Sequence, residues 1–354
     1  MTDAAEAKAG NLGDVEFAVA ICTLNRRGYL ERAVSAVLAQ LAGFPGGELI
    51  VVDNGSTDST AGYLAELSRR DRRVHAIHEE RRGIYYGRVR AILSARRDFL
   101  IFVDDDAVPQ PGWLGGMLRE LAAAPEVGVV GGAIDPRWET PKPRWLCKRL
   151  MREIPIFNVP EGSRESRFPC YPSGISLGIR LNRCALLYAN AARYDDYPFG
   201  RKGTPDDGCG FRMLGGEDTD LCEIYARNGF RVVENGGIRV WHTVQPERHK
   251  PEWYVQKFAS EGHLRIRLLR LTRRPVVGRH SIGMLAGLPS LALLDLAAPL
   301  LPARFGLLLH AYRVKCAAAW TELLWGQRPR PLAYECGSAV SSSNANAESG
   351  LPQP

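Results

Sequence analysis

Asp104, Asp105 and Asp106 follow the apolar run FLIFV and precede Pro109-Gln110-Pro111-Gly112-Trp113. Carboxylates spaced i, i+2 at a strand end can hold a hard cation that also takes phosphate oxygens. Three acids in a turn also suit a solvated loop, but the buried run before them and the helix start behind them favour a site. A second group, Glu217, Asp218 and Asp220, opens a helix behind two glycines. These are either acids favoured by the helix dipole or a general base that removes a hydroxyl proton. His242, near the end of the run IRVWHTV, reads as a packed core histidine or as a metal ligand completing a site begun by Asp106. Arg88 and Arg90, in RRGIYYGRVRAIL, suit a diphosphate or a solvated helix face.

The elements needed to position these groups follow from periodicity. EFAVAIC (16–22), ELIVVD (48–53), VHAI (74–77), DFLIFV (98–103) and residues 127–134 read as strands, with ISLGIRL (175–181) a further candidate. Helices are predicted over 29–41, 85–97, 111–123 and 251–272, after the turn NGSTDS, and from Asp218. Strands alternating with helices imply an α/β protein, a Rossmann-like mostly parallel sheet with flanking helices. Continuous apolar strands fit a sheet covered on both faces. Ligands then bind beyond the carboxyl ends of the strands, where Thr23 and Asn25, Asp53 and Asp104–Asp106 would converge.

A chain of 354 residues, 45% hydrophobic and 24% charged, has room for one large domain with an appendage. The start, MTDAAEAKAGNLGD, has no apolar core of a signal peptide. With eight cysteines and no CxxC pair, the expectation is a cytoplasmic protein with reduced, structural thiols. The net charge of +7 is concentrated: Arg239–Arg330 carries 15 Lys/Arg against 5 Asp/Glu. That favours an anionic lipid or polyphosphate partner. Nucleic acid is not expected, since no nucleic-acid-binding motif accompanies the charge.

Six segments, in order, resemble family 2 glycosyltransferases of the GT-A fold, from about Phe17 to Gly262. AICTLNRRGYLERAVSAVLAQ resembles the family's opening strand, Thr-x-Asn-Arg turn and first helix. ELIVVDNGSTDST resembles its nucleotide-binding strand and turn. GIYYGRVRAI resembles the Gly-x-x-x-Ala-Arg-Asn segment, with Arg88 in place and Gly87 and Val89 where Ala and Asn are usual. FVDDDAVPQPGWL resembles the DxD motif. GISLGIR, with Ser176 where Asn is usual, and GGEDTDL complete the set.

The resemblance implies an inverting, non-processive transferase using a nucleoside-diphosphate sugar, a hydroxyl acceptor (a glycan or lipid-linked glycan) and Mn²⁺ or Mg²⁺. Thr23, Asn25, Arg27, Asp53, Arg88, Asp104 and Asp105 would face the donor nucleotide, with Asp53 on the base and Asp104 on the ribose or the metal. Asp106 would ligate the metal, with His242. Asp218 would be the base, flanked on the acceptor side by Glu217 and Asp220. Processive relatives carry Gln-x-x-Arg-Trp; here Gln245-Pro246-Glu247-Arg248-His249 ends in His. A degenerate transferase serving as scaffold, and a sugar-1-phosphate nucleotidyltransferase, are the alternatives. The second needs a Gly-rich loop after the first strand, and ICTLNRRGYL lacks one.

The expected organisation is a disordered start (1–14), a catalytic domain over 15–262 with nucleotide-binding (15–135) and acceptor (136–262) halves, a basic and apolar C-terminal helical appendage (263–330) and a disordered tail (331–354). Residues 281–302 carry Asp295 as their sole ionisable group but are interrupted by Pro289 and Pro299, so a spanning helix is disfavoured. Arg265, Arg267, Arg270, Arg273, Arg274, Arg279, Arg304, Arg313 and Lys315 flank that run. The expectation is peripheral contact with an anionic cytoplasmic leaflet, at the inner face of the cell membrane.

Overall fold

The computed structural model describes residues 15–151, 154, 159–190, 216–271 and 303–325. The expected disordered ends, the run 281–302, the Gly-rich stretch up to 215, Arg273, Arg274, Arg279, Cys209 and Cys336 lie outside the described residues.

Four short apolar runs form a parallel half-sheet: β1 (Phe17–Thr23), β2 (Gly47–Asp53), β3 (Val74–His78) and β4 (Phe99–Val103). They are joined by α1 (Arg27–Leu41), α2 (Thr60–Arg70) and α3 (Ile84–Ser94). Successive side chains of a strand point to opposite faces, and the core divides accordingly. Ala18, Ala20, Ile50, Val52, Leu100 and Phe102 pack beneath α3. Phe17, Val19, Ile21, Leu49, Val51 and Ile101 pack against α1 and α4 (Trp113–Ala123). Both faces are covered, so the runs show no apolar–polar alternation. Each large side chain buried here contributes about 1.5–3 kcal/mol.

The remaining strands are β5 (Ala107–Pro109), β6 (Val127–Trp138), β7 (Ser163–Glu165), β8 (Ser176–Arg180) and β9 (Arg231–Val244). The sheet runs β3-β2-β1-β4-β8-β6-β9-β5, with β7 also on β9. β8 is antiparallel to β4 and β6, and β5 is antiparallel to β9, so the sheet is mixed beyond its parallel half. Further helices are α5 (Lys148–Met151), α6 (Arg183–Ala189), α7 (Glu217–Arg227), α8 (Pro251–Leu271) and α9 (Ala303–Trp325). A 3-10 turn, Pro246–His249, links β9 to α8. α8 and α9 pack on each other and, through Tyr254, Phe258 and Ala311, on Leu146, Leu150 and Val244. Among the described residues no helix is long and apolar enough to cross a membrane.

Candidate active site

β1, β2 and β4 end side by side, and their polar termini meet as the topology requires. At β1, the Thr23 hydroxyl donates to Asp105 Oδ2 (2.8 Å). Asn25 adopts a left-handed backbone, φ 53°, a conformation asparagine tolerates better than most residues. Its Oδ1 accepts from the backbone N–H of Thr57 (2.6 Å) and of Asp58 (3.3 Å), tying the β1 turn to the β2 turn. Asp53, at the end of β2, is buried and accepts from the Ser56 N–H (2.9 Å).

The acidic turn lies between β4 and β5. Asp104 is partly exposed, whereas Asp105 and Asp106 are buried. Arg26 bridges the latter two, with Nη1 3.1 Å from Asp105 Oδ1 and 3.0 Å from Asp106 Oδ2. Burial pushes the Asp105 carboxyl up, with Arg26 opposing and Asp106 adding to the rise. Burial acts the same way on Asp106, but His242, Arg26 and Arg248 outweigh it and hold its carboxyl well below the usual carboxylate range.

Pairing of β5 with β9 sets Ala107 opposite His242. That register brings His242 Nε2 to 3.3 Å from Asp106 Oδ1. The following 3-10 turn adds Gln245 Nε2 (3.2 Å) and Arg248 Nη2 (3.6 Å) at Asp106 Oδ2. Arg248 Nη1 also lies 3.3 Å from His242 Nε2. The carboxylate suits Mn²⁺ or Mg²⁺, and the imidazole nitrogen suits a transition-metal cation. Among the described residues no group of three or more His, Cys, Asp or Glu could hold a metal alone. Asp106 and His242 could supply two ligands, and a cation held there would need others.

The other wall begins at α7. Asp218 Oδ2 accepts from the Gly174 N–H (2.9 Å). A Cβ at Gly174 would meet the Arg88 guanidinium, so the backbone here lies close against Arg88. Arg88, buried on α3, lies 3.2 Å from Glu217 Oε1 and 3.5 Å from Asp104 Oδ1. Burial disfavours its charge, and Glu217 and Asp104 outweigh that and raise its pKa. Asp220, one turn into α7, is fully buried.

Asp104, Asp106, Glu217, Asp218, Arg88 and His242 thus line one cavity of about 400 Å³. Thr23 and Asp105 lie behind it, bonded to each other. Arg27 is directed elsewhere: its Nε donates to Glu31 (2.8 Å) and its Nη1 to Ser59 (3.0 Å). The neighbouring Arg26 reaches the acids instead, and the Thr-x-Asn-Arg turn marks that position. Gln245 and Arg248 were visible as Gln-x-x-Arg, whose spacing brings both to Asp106.

Residues 18–176 match the family described as glycosyl transferase family 2. Over 254 residues the chain is 24% identical to the glucosyl-dolichyl phosphate glucuronosyltransferase of Haloferax volcanii, covering 70% of this chain and 76% of that relative. Among solved structures it is similar to the mannosyltransferase of Pyrobaculum calidifontis in complex with GDP-Man and Mn²⁺. The TM-score is 0.53, with 17% identity over 91% of this chain and 93% of that one. At that identity the likeness is one of fold, and the fold is the GT-A arrangement.

Proposed function

We propose that this chain, a member of glycosyl transferase family 2, is an inverting, non-processive enzyme that moves one sugar from a nucleoside diphosphate to an acceptor hydroxyl. The observation that carries the reading is the single cavity in which Asp106 and His242 face Asp218 across the Arg88 ion pairs. A carboxylate–imidazole pair on one side and an oriented carboxylate on the other are what a displacement at an anomeric carbon needs.

Asp53, Thr23, Asn25 and Asp104 form the nucleoside side, with Arg26 and Arg88 as the cations nearest the diphosphate. Asp106 and His242 would hold Mn²⁺ or Mg²⁺, which when bound supplies positive charge against the leaving diphosphate. Asp218 is the base. Its carboxylate, oriented by the Gly174 N–H, takes the acceptor proton as the acceptor oxygen bonds to the anomeric carbon. The bond from that carbon to the diphosphate oxygen breaks on the opposite face, and the electron pair leaves with the diphosphate. Configuration inverts because one displacement occurs. His249, where processive relatives carry Trp, fits release after a single transfer.

The Haloferax relative is named for a lipid-phosphate-linked sugar, and the basic C-terminal region suits such an acceptor at a membrane face. We assign catalysis to residues 15–262 and acceptor or membrane engagement to 263–330. Transfer measured with and without Mn²⁺, in wild type and in Asp106→Asn, tests the reading. Asp106→Asn keeps the side-chain shape but removes charge, and turnover is expected to fall by about a hundredfold or more. Full activity of Asp106→Asn in EDTA would overturn it.

A further inference from the structure

The cavity has another wall, which displacement at the anomeric carbon leaves unused. Lys257, Glu261 and Arg265 of α8 and Lys315 of α9 line it, beside Leu264 and Leu268. α8 and α9 approach closely at Gly262, where a Cβ would collide with the Lys315 carbonyl oxygen. This close approach sets the Lys315 backbone against α8, beside the cavity that Lys315 lines. Lys257 Nζ donates to Glu261 Oε1 (2.9 Å), and the Lys315 ammonium stands 5.5 Å from the centroid of the Phe258 ring. Burial alone would raise the Glu261 pKa, but Lys257, Lys315 and Arg265 hold it below the usual carboxylate range.

Arg26, Arg88 and Arg248, across the cavity, are each paired with carboxylates. On the helical wall one carboxylate stands among three cations. Among the described residues neither Arg265 nor Lys315 is within ion-pair distance of a carboxylate. The wall is therefore net positive. A neutral sugar hydroxyl has no use for that charge, whereas a phosphate ester carries up to about two negative charges at neutral pH. A guanidinium offers such a group a bidentate pair and an ammonium a point charge.

We propose that Arg265 and Lys315, with Lys257, bind a phosphate ester on the acceptor and so hold its hydroxyl toward Asp218. This rests on the transfer reading above. The phosphate can belong to a soluble sugar phosphate or to a lipid phosphate, with Leu264 and Leu268 placed to meet an alkyl chain.

The test uses full-length protein with the donor side filled by Mn²⁺ and a nucleoside diphosphate. It is titrated with glucose 1-phosphate, with decyl phosphate below its micelle concentration, and with decyl glucoside as the neutral control. Phosphate binding is expected to weaken about tenfold or more in Arg265→Gln/Lys315→Gln. Lys315→Arg should retain it, and nucleoside diphosphate affinity should be unchanged. Binding of both phosphates assigns the subsite to the phosphate itself, and binding of decyl phosphate alone assigns it to a lipid-linked one. Unaltered phosphate affinity in the double variant, no phosphate binding by wild type, or a parallel loss of nucleoside diphosphate affinity would each overturn the proposal. If wild type binds no nucleoside diphosphate, the transfer reading falls, and titration without nucleotide reads the subsite by itself.

Discussion

Asp106 has four side chains competing for two oxygens: Arg26, Arg248, His242 and Gln245. Arg26 holds its charge against Asp106, the carboxylate proposed to hold the cation, so cation and guanidinium would compete for it. Arg26→Ala is expected to tighten Mn²⁺ binding in the absence of nucleotide by roughly tenfold, a fraction of what unit charges exchange at this distance near a protein surface. Arg27→Ala, whose partners are Glu31 and Ser59, should change nothing. A manganese resonance titration reads both, and equal effects would remove the competition. Asp218→Asn keeps an oxygen for the Gly174 N–H, so the fold should survive while transfer falls roughly 10²–10⁴-fold. Nucleoside diphosphate affinity should hold; if it falls equally, Asp218 is a donor contact. Asp220 would then be a poor substitute base because it is fully buried, and Glu217 is tied to Arg88. Cys22 lies behind the same acids. Burial, opposed by Arg88, pushes its thiol up to about 12, leaving little thiolate at pH 8. Iodoacetamide should therefore modify the exposed Cys170 well before Cys22 in the native protein, with the difference vanishing in denaturant. Mass mapping of a time course decides it.

At the scale of elements, what was legible follows from burial. β1, β2 and β4 are continuous apolar runs because helices cover both faces, and the sequence bounds fall within a residue of the observed ones. β5 and β7 have three residues each, too few for any period to show. β9 is harder for another reason. Its register on β6 shifts between Gly132 and Ala133, and Asn235-Gly236-Gly237 reads locally as a turn. The proximity of His242 to Asp106 depends on the β5–β9 pairing, a contact between residues far apart in sequence that no local pattern encodes. Residue types alone left His242 open between a core histidine and a ligand beside Asp106, and the family likeness favoured the second. Arg26 and Arg248, by contrast, lay in recognisable motifs, but which guanidinium of Arg26-Arg27 turns inward depends on the helix start. Asp135 holds β6 to β9 next to the irregularity: its carboxylate accepts from Arg239 Nε (2.9 Å), Arg239 Nη2 (2.7 Å) and Gln110 Nε2 (2.9 Å). The Arg239 hydrogen bonds depress its pKa, with burial opposing. A carboxyl depressed on folding stabilises above its unfolded value, about 3.9, and loses that contribution as pH falls through the folded value. Asp135→Asn should cost about 1–2 kcal/mol at neutral pH. The melting-temperature gap to wild type should stay constant down to about pH 5 and close below it. A gap independent of pH would assign the loss to packing.

For the whole molecule, the question is what the excess positive charge of the C-terminal region serves. Two of the residues that sequence alone gave to a lipid surface, Arg265 and Lys315, also line the cavity. The membrane proposal then depends on the other basic residues of the region. Deleting everything after Leu271 would test it poorly. α9 covers α8, where Phe258, Ile266 and Leu269 are fully buried, and baring them would create adhesion unrelated to function. Salt and lipid charge are cleaner variables. Each basic residue near an anionic leaflet contributes about 1 kcal/mol, and the attraction is screened over about 8 Å at physiological ionic strength. Full-length protein should therefore float with phosphatidylglycerol vesicles in proportion to their anionic content and be released as salt rises. Arg265→Gln/Lys315→Gln should float almost as wild type, because those two cations face the cavity. Equal flotation on phosphatidylcholine, or none on anionic vesicles at low salt, would remove the membrane from the account. Loss of flotation in the double variant alone would instead make the cavity itself the lipid-binding site.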